Sequence, residues 1–79
     1  MRSSGLGMIE IFGQPNCTYC EKAVKFCEER KLPYKYFTVK EDITVEEFKD
    51  MFPNQRTVPQ INEDNQYIGG FTELEKKYR

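Results

Sequence analysis

The apolar positions of this chain change their period along its length, and the changes mark its elements. Met8-Ile9-Glu10-Ile11-Phe12 is a short run rich in apolar and β-branched residues, ended by Gly13, and reads as a strand. Gln14-Pro15-Asn16 is a turn. From about Cys17 to Lys31 the spacing becomes helical. Cys20, Ala23, Val24 and Cys27 fall at i, i+3, i+4 and i+7, with Glu21, Lys22, Lys25 and Glu28 on the opposite face. Leu32-Pro33 ends this helix, and Tyr34 to Val39 reads as a second strand. A strand, a helix and a strand within so short a span make a βαβ unit with a parallel pair and a right-handed crossover.

Thr44-Val45-Glu46-Glu47 has the form of a capping box and predicts a second helix that buries Val45, Phe48 and Phe52 and stops at Pro53. Val58-Pro59-Gln60-Ile61 and Gln66-Tyr67-Ile68 are two short strand-like runs joined by the polar stretch Asn62-Glu63-Asp64-Asn65, which predicts a hairpin with a longer loop. Gly69-Gly70 breaks the chain, and Thr72-Glu73-Leu74-Glu75 reads as a second capping box opening a last helix with Leu74 and Tyr78 inward. The order β-α-β-α-β-β-α predicts an α/β fold: a four-stranded mixed sheet with three helices packed against it. There are no internal repeats.

Composition narrows the function classes. Seventy-nine residues make one domain with a thin core. A net charge of −1, with Lys and Glu interspersed, argues against nucleic acid or an anionic membrane as partner, since both favour a concentrated basic face. No apolar run approaches the ~18 residues of a membrane span, and the first residues lack the apolar segment of a secretory leader. Residues 1–7, Met-Arg-Ser-Ser-Gly-Leu-Gly, are small and aperiodic and read as an appended segment or flexible tail, leaving 8–79 as the folded domain.

Three cysteines and no histidine constrain the chemistry further. The chain cannot assemble the four Cys or His ligands usual for structural zinc, and a stapled secreted domain would show a larger, even cysteine count. Cys17 and Cys20 stand three apart where the first strand enters the first helix. The N–H groups of a first helical turn lack intrahelical partners, and the helix dipole places positive charge there, so a thiolate is stabilised at that point. The thiolate is the reactive form. Cys17, at the helix start, is expected to be the exposed nucleophile, with Lys22 adding nearby positive charge. Cys20, one turn on, is expected to be more buried and harder to ionise. That asymmetry suits disulfide exchange, in which one thiol attacks and the other resolves the mixed disulfide. Metal sites and chance pairs share the same spacing; the strand before and the helix after favour redox chemistry. Cys27 lies on the inward helical face and reads as a small buried hydrophobe. Pro59 opens a strand, a position where proline is tolerated.

Cys17-Thr18-Tyr19-Cys20, Thr57-Val58-Pro59 and Gly69-Gly70-Phe71-Thr72-Glu73 occur in the order and spacing of glutaredoxins, and the resemblance covers residues 8–79. It implies a thioredoxin-like fold, a cis peptide bond between Val58 and Pro59, a dithiol oxidoreductase with Cys17 and Cys20 catalytic, and glutathione as cosubstrate with no bound cofactor. Gln14, Tyr19, Arg56, Thr57, Val58, Pro59, Gly70, Phe71 and Thr72 would then make up the glutathione site. The Val58 backbone would pair with the cysteine of the tripeptide as an added strand does, and Gly70 would leave room for its approach. Thr72 would hold the γ-glutamyl carboxylate, although an N-cap role explains that threonine as well. The resemblance further implies disulfide-containing or glutathionylated proteins as partners, ribonucleotide reductase among them, a monomer, and a place in the cytoplasm.

The chain departs from the family pattern at several points. Thr18 stands where proline is common, which bears on loop stiffness and reduction potential. Some relatives lacking that proline hold a [2Fe–2S] cluster between two subunits with glutathione, and Cys17 would be its ligand here. Gln14 replaces a frequent basic residue, so the glycyl carboxylate would lean on Arg56 or Lys22, each otherwise an ordinary surface cation. Glu73 stands where Asp is frequent. Thioredoxin proper is disfavoured by the absence of Trp. A thioredoxin-reductase-linked small electron donor, an iron–sulfur carrier and a noncatalytic binding module are the competing readings.

Overall fold

A computed structural model of the chain describes residues 8–55, 57–64 and 66–78; residues 1–7, expected as a tail, lie outside the described residues. The elements run β1 (Ile9–Gly13), α1 (Thr18–Glu29), β2 (Tyr34–Thr38), α2 (Val45–Met51), β3 (Gln60–Glu63), β4 (Gln66–Gly69) and α3 (Phe71–Lys77). The sheet order is β2-β1-β3-β4. β1 pairs parallel with β2, placing Ile11 beside Tyr36. It pairs antiparallel with β3, placing Ile11 beside Ile61, and β3 pairs antiparallel with β4. This is the thioredoxin-like arrangement expected of the sequence.

Alternation along β1 divides the core in two. Ile9 and Ile11 face α1 and α3, where they join Ala23, Cys27, Ile61 and Leu74 in one buried cluster. Phe12 points to the other face and joins Phe48 and Phe52, with Phe37 and Val58 packed alongside, in a second cluster that seats α2. The Phe12 ring stacks on Phe37 at 5.0 Å and meets Phe52 edge-on at 5.4 Å, geometries aromatic pairs prefer.

The Thr44 box forms as expected. The Thr44 hydroxyl accepts the Glu47 N–H and the Glu47 carboxylate accepts the Thr44 N–H, both at 3.0 Å. The other box does not. Gly70 occupies the N-cap of α3, and the Glu73 carboxylate accepts the Gly70 N–H at 2.8 Å. Thr72 therefore lies within the first turn rather than capping it.

Element boundaries also differ from the sequence reading: β2 stops at Thr38 rather than Val39, and β4 runs on to Gly69. β1 runs through Gly13, which pairs with Thr38. β3 begins only at Gln60, because Pro59 has no N–H to give the ladder. The hairpin is tighter than expected: Glu63 pairs with Gln66, and Asp64 takes φ 54, a left-handed conformation that Asp tolerates.

Candidate active site

Asn16, at φ 61, turns the chain out of the loop after β1, and Cys17 follows as the N-cap of α1 in extended conformation. Its sulfur takes the role an oxygen usually plays there, accepting the Cys20 N–H at 3.3 Å. The start of a helix is where an anionic sulfur is best held. The Cys17 thiol also faces the Val58 carbonyl at 4.0 Å, across a Val58–Pro59 peptide bond that is cis.

Cys20 is buried at 1% exposure. Burial, and after it the contact with Cys17, pushes its thiol up to about 11. Tyr36 packs beside it, its hydroxyl donating to the Gln14 carbonyl at 3.3 Å. Burial and the neighbouring Cys20 raise the Tyr36 phenol well above its ordinary value. The two thiols are thus unlike in the way exchange requires: one accessible at a helix start, one enclosed and held neutral. Cys27, with no exposed surface, belongs to the larger cluster.

Beside this pair a groove of about 240 Å³ runs between the Thr57-Val58-Pro59 loop and the start of α3. Tyr19, Thr57, Val58, Pro59, Gly70, Phe71 and Thr72, all named from sequence, line it together. The Tyr19 ring is half-exposed, tilts against Phe71 at 6.3 Å and carries the Lys22 ammonium 5.0 Å above it. A Cβ at Gly70 would meet ordinary contacts at 3.5 Å with the Glu73 carboxylate and the Pro59 carbonyl. The stricter glycine is Gly69, at φ 132, where a Cβ would fall 2.7 Å from the Glu73 side chain. Gln14 is not brought into this groove; it lines a neighbouring hollow with Cys17, Lys40 and Lys49. Arg56 lies outside the described residues.

Three further residues, Gln55, Gln60 and Tyr67, line the groove without having been singled out, and Glu73, noted above as a departure from the family pattern, completes the wall. Gln60 carried one faint signal, a polar residue between Pro59 and Ile61 at the start of a strand. The Glu73 carboxylate is already committed to the Gly70 N–H.

An iron–sulfur cluster takes four thiolate ligands. Among the described residues no group of three or more His, Cys, Asp or Glu is arranged to hold a metal, and Cys20 and Cys27 are enclosed in the core. A cluster shared between two subunits with glutathione would draw only Cys17 from each, and Cys17 is the partly exposed cysteine of the three. Among the described residues no helix is long and apolar enough to cross a membrane.

Known proteins resemble this chain along most of its length. The glutaredoxin family matches residues 9–68. A glutaredoxin of Haemophilus influenzae is 38% identical over 74 residues, covering 85% of each chain. Glutaredoxin 1 of Escherichia coli is 36% identical over 71 residues, covering 81% of this chain and 84% of the relative. Among solved structures, glutaredoxin 1 of Francisella tularensis complexed with cacodylate superposes with a TM-score of 0.77 at 28% identity, over 91% of this chain and 92% of that one. A buckwheat glutaredoxin–glutathione complex shares the fold, with a TM-score of 0.76 at 20% identity over 92% of this chain and 69% of that one.

Proposed function

The chain belongs to the glutaredoxin family of thiol–disulfide oxidoreductases, and from that membership we propose that it reduces protein disulfides and glutathione mixed disulfides at the expense of glutathione. The observation that carries this reading is the placement of the Cys17 sulfur at the N-cap of α1, beside the Val58 carbonyl and the groove.

The Cys17 thiolate attacks the glutathione sulfur of a glutathionylated protein. A Cys17–glutathione disulfide forms, and the protein thiolate leaves and takes up a proton. A second glutathione thiolate then attacks the glutathione sulfur of that adduct, releasing glutathione disulfide and restoring Cys17. With a protein disulfide, Cys17 forms the mixed disulfide and Cys20, one turn on, attacks the Cys17 sulfur to expel the second substrate thiol. Two glutathiones then reduce the Cys17–Cys20 disulfide, so two electrons pass in each cycle.

The tripeptide lies in the groove with its backbone on Val58, between Tyr19 and the first turn of α3. No bound cofactor takes part. Protein disulfides and glutathionylated proteins are the partners, met by a monomer in the cytoplasm, where the glutathione pool keeps thiols reduced.

Turnover of a small glutathione mixed disulfide, coupled to glutathione reductase, tests this reading. The expected result is activity in the wild type and in Cys20→Ser, and none in Cys17→Ser. A folded wild type without activity would overturn the glutathione assignment and favour a donor recharged by thioredoxin reductase.

A further inference from the structure

Gln60 is the polar side chain that the buried core encloses among the described residues, at 3% exposure, and the cycle above gives it no task. Its Nε2 donates to the Thr57 carbonyl at 2.7 Å and to the Thr57 hydroxyl at 3.3 Å. Its Oε1 accepts the Tyr67 hydroxyl at 2.6 Å. Reversing the amide would press Oε1 against the Thr57 carbonyl, two acceptors with no proton between them, so its orientation is set by its partners. The Tyr67 ring in turn packs on Phe52, with centroids 5.5 Å apart. A line of contact therefore runs from the end of α2, through β4 and β3, to the loop before Pro59.

That loop needs a support of this kind. Thr57, Val58 and Pro59 belong to no strand, so no sheet ladder fixes their peptides, and Pro59 has no N–H to contribute. A segment that must pair with an extended peptide has to present its backbone in one conformation. The amide bond to the Thr57 carbonyl supplies that constraint one residue before Val58, whose own carbonyl faces Cys17. An apolar side chain of similar size could fill the space but could not hold the carbonyl.

We propose that Gln60, oriented by Tyr67, is the positioning residue that sets glutathione affinity by fixing the Thr57 peptide and, through it, the Val58 backbone edge. The proposal rests on the glutathione reading above. Its signature is a split between binding and chemistry: Gln60 touches neither sulfur, so KM responds and kcat does not.

The test is steady-state turnover of a glutathione mixed disulfide by the wild type, Gln60→Leu, Tyr67→Phe and the double variant. Losing the amide should raise KM about tenfold, the range expected for one buried hydrogen bond, with kcat within about twofold. Tyr67→Phe keeps the ring on Phe52 and should raise KM about threefold, since its hydroxyl only orients Gln60. In the double variant KM should equal that of Gln60→Leu alone, because the two act as one unit. An unchanged KM in Gln60→Leu, a loss confined to kcat, or a full Tyr67→Phe effect persisting in the Gln60→Leu background would each overturn the proposal. If Gln60→Leu fails to fold, an unchanged KM in Tyr67→Phe overturns it as well. An inactive wild type would instead remove the glutathione reading on which the proposal stands, and so distinguishes the two failures.

Discussion

Gly13 and Cys20 meet where no side chain could fit between them: a Cβ on Gly13 would lie 2.5 Å from the Cys20 sulfur and equally near the Tyr36 hydroxyl. The demand at this glycine is for space, since among the described glycines Gly69 is the one with positive φ. β1 thus ends on a residue small enough for the second thiol of the pair to rest directly on the sheet. Gly13→Ala should cost about 1–3 kcal/mol through overpacking, read from urea unfolding. Because the displaced group is Cys20, reduction of a protein disulfide should fall more than turnover of a glutathione mixed disulfide, which needs only Cys17. Equal losses on the two substrates would contradict this account.

Cys20 also ties stability to alkaline pH. Burial raises its thiol from 9.0 to about 11, and burial raises the core thiol of Cys27 to about 11 too. A raised folded value means that the native state holds its proton longer than the unfolded chain does. The contribution is complete below the unfolded thiol value and drains as pH climbs toward the folded one. The urea midpoint should therefore hold up to about pH 9 and decline between 9 and 11. A midpoint that stays level through that window would show that neither thiol is protected as described.

Glu63 gives the opposite dependence. Burial alone would raise its carboxyl, but Lys77 and the Tyr78 hydroxyl outweigh that and hold it below the usual carboxylate range. Its stabilisation is present above the unfolded value near ~4.3 and is lost as pH falls. Lys77 is about half-exposed, so solvent screens the pair and the gain is about 1 kcal/mol or less. The stability gap between wild type and Glu63→Gln should be open at neutral pH and close on acidification. A gap that does not change with pH would assign the effect to packing of Tyr78 rather than to charge.

Much of the fold was legible because the hydrophobic period changes cleanly from strand to helix and back. Cys20, Ala23 and Cys27 face inward as their spacing requires. Phe26 escaped notice because it lies off that stripe and packs on Phe71 of α3 and on Tyr78 at its C-cap, at 6.1 and 6.5 Å, a contact between distant segments that leaves no period in the sequence. The cap of α3 was misread because two threefold spacings overlap there, Thr72 with Glu75 and Gly70 with Glu73; the latter forms the bond. At the site, contiguous motifs carried Cys17, Cys20 and most of the groove. The Gln60–Tyr67 pair was illegible because it bridges a hairpin whose register shifts between Ile61 and Asn62, and a shift of one residue changes which side chains share a face.

The division of the core by the sheet has a dynamic consequence. The larger cluster unites α1, α3 and the two central strands, whereas α2 rests on a smaller patch built from Phe12, Phe48 and Phe52. Amide protons in β1 and the centre of α1 should exchange with solvent only when the whole chain unfolds. Those of α2 should exchange through partial openings that leave the rest intact. Val58 packs against the smaller cluster, so the backbone edge beside Cys17 is anchored in the half of the molecule that breathes first.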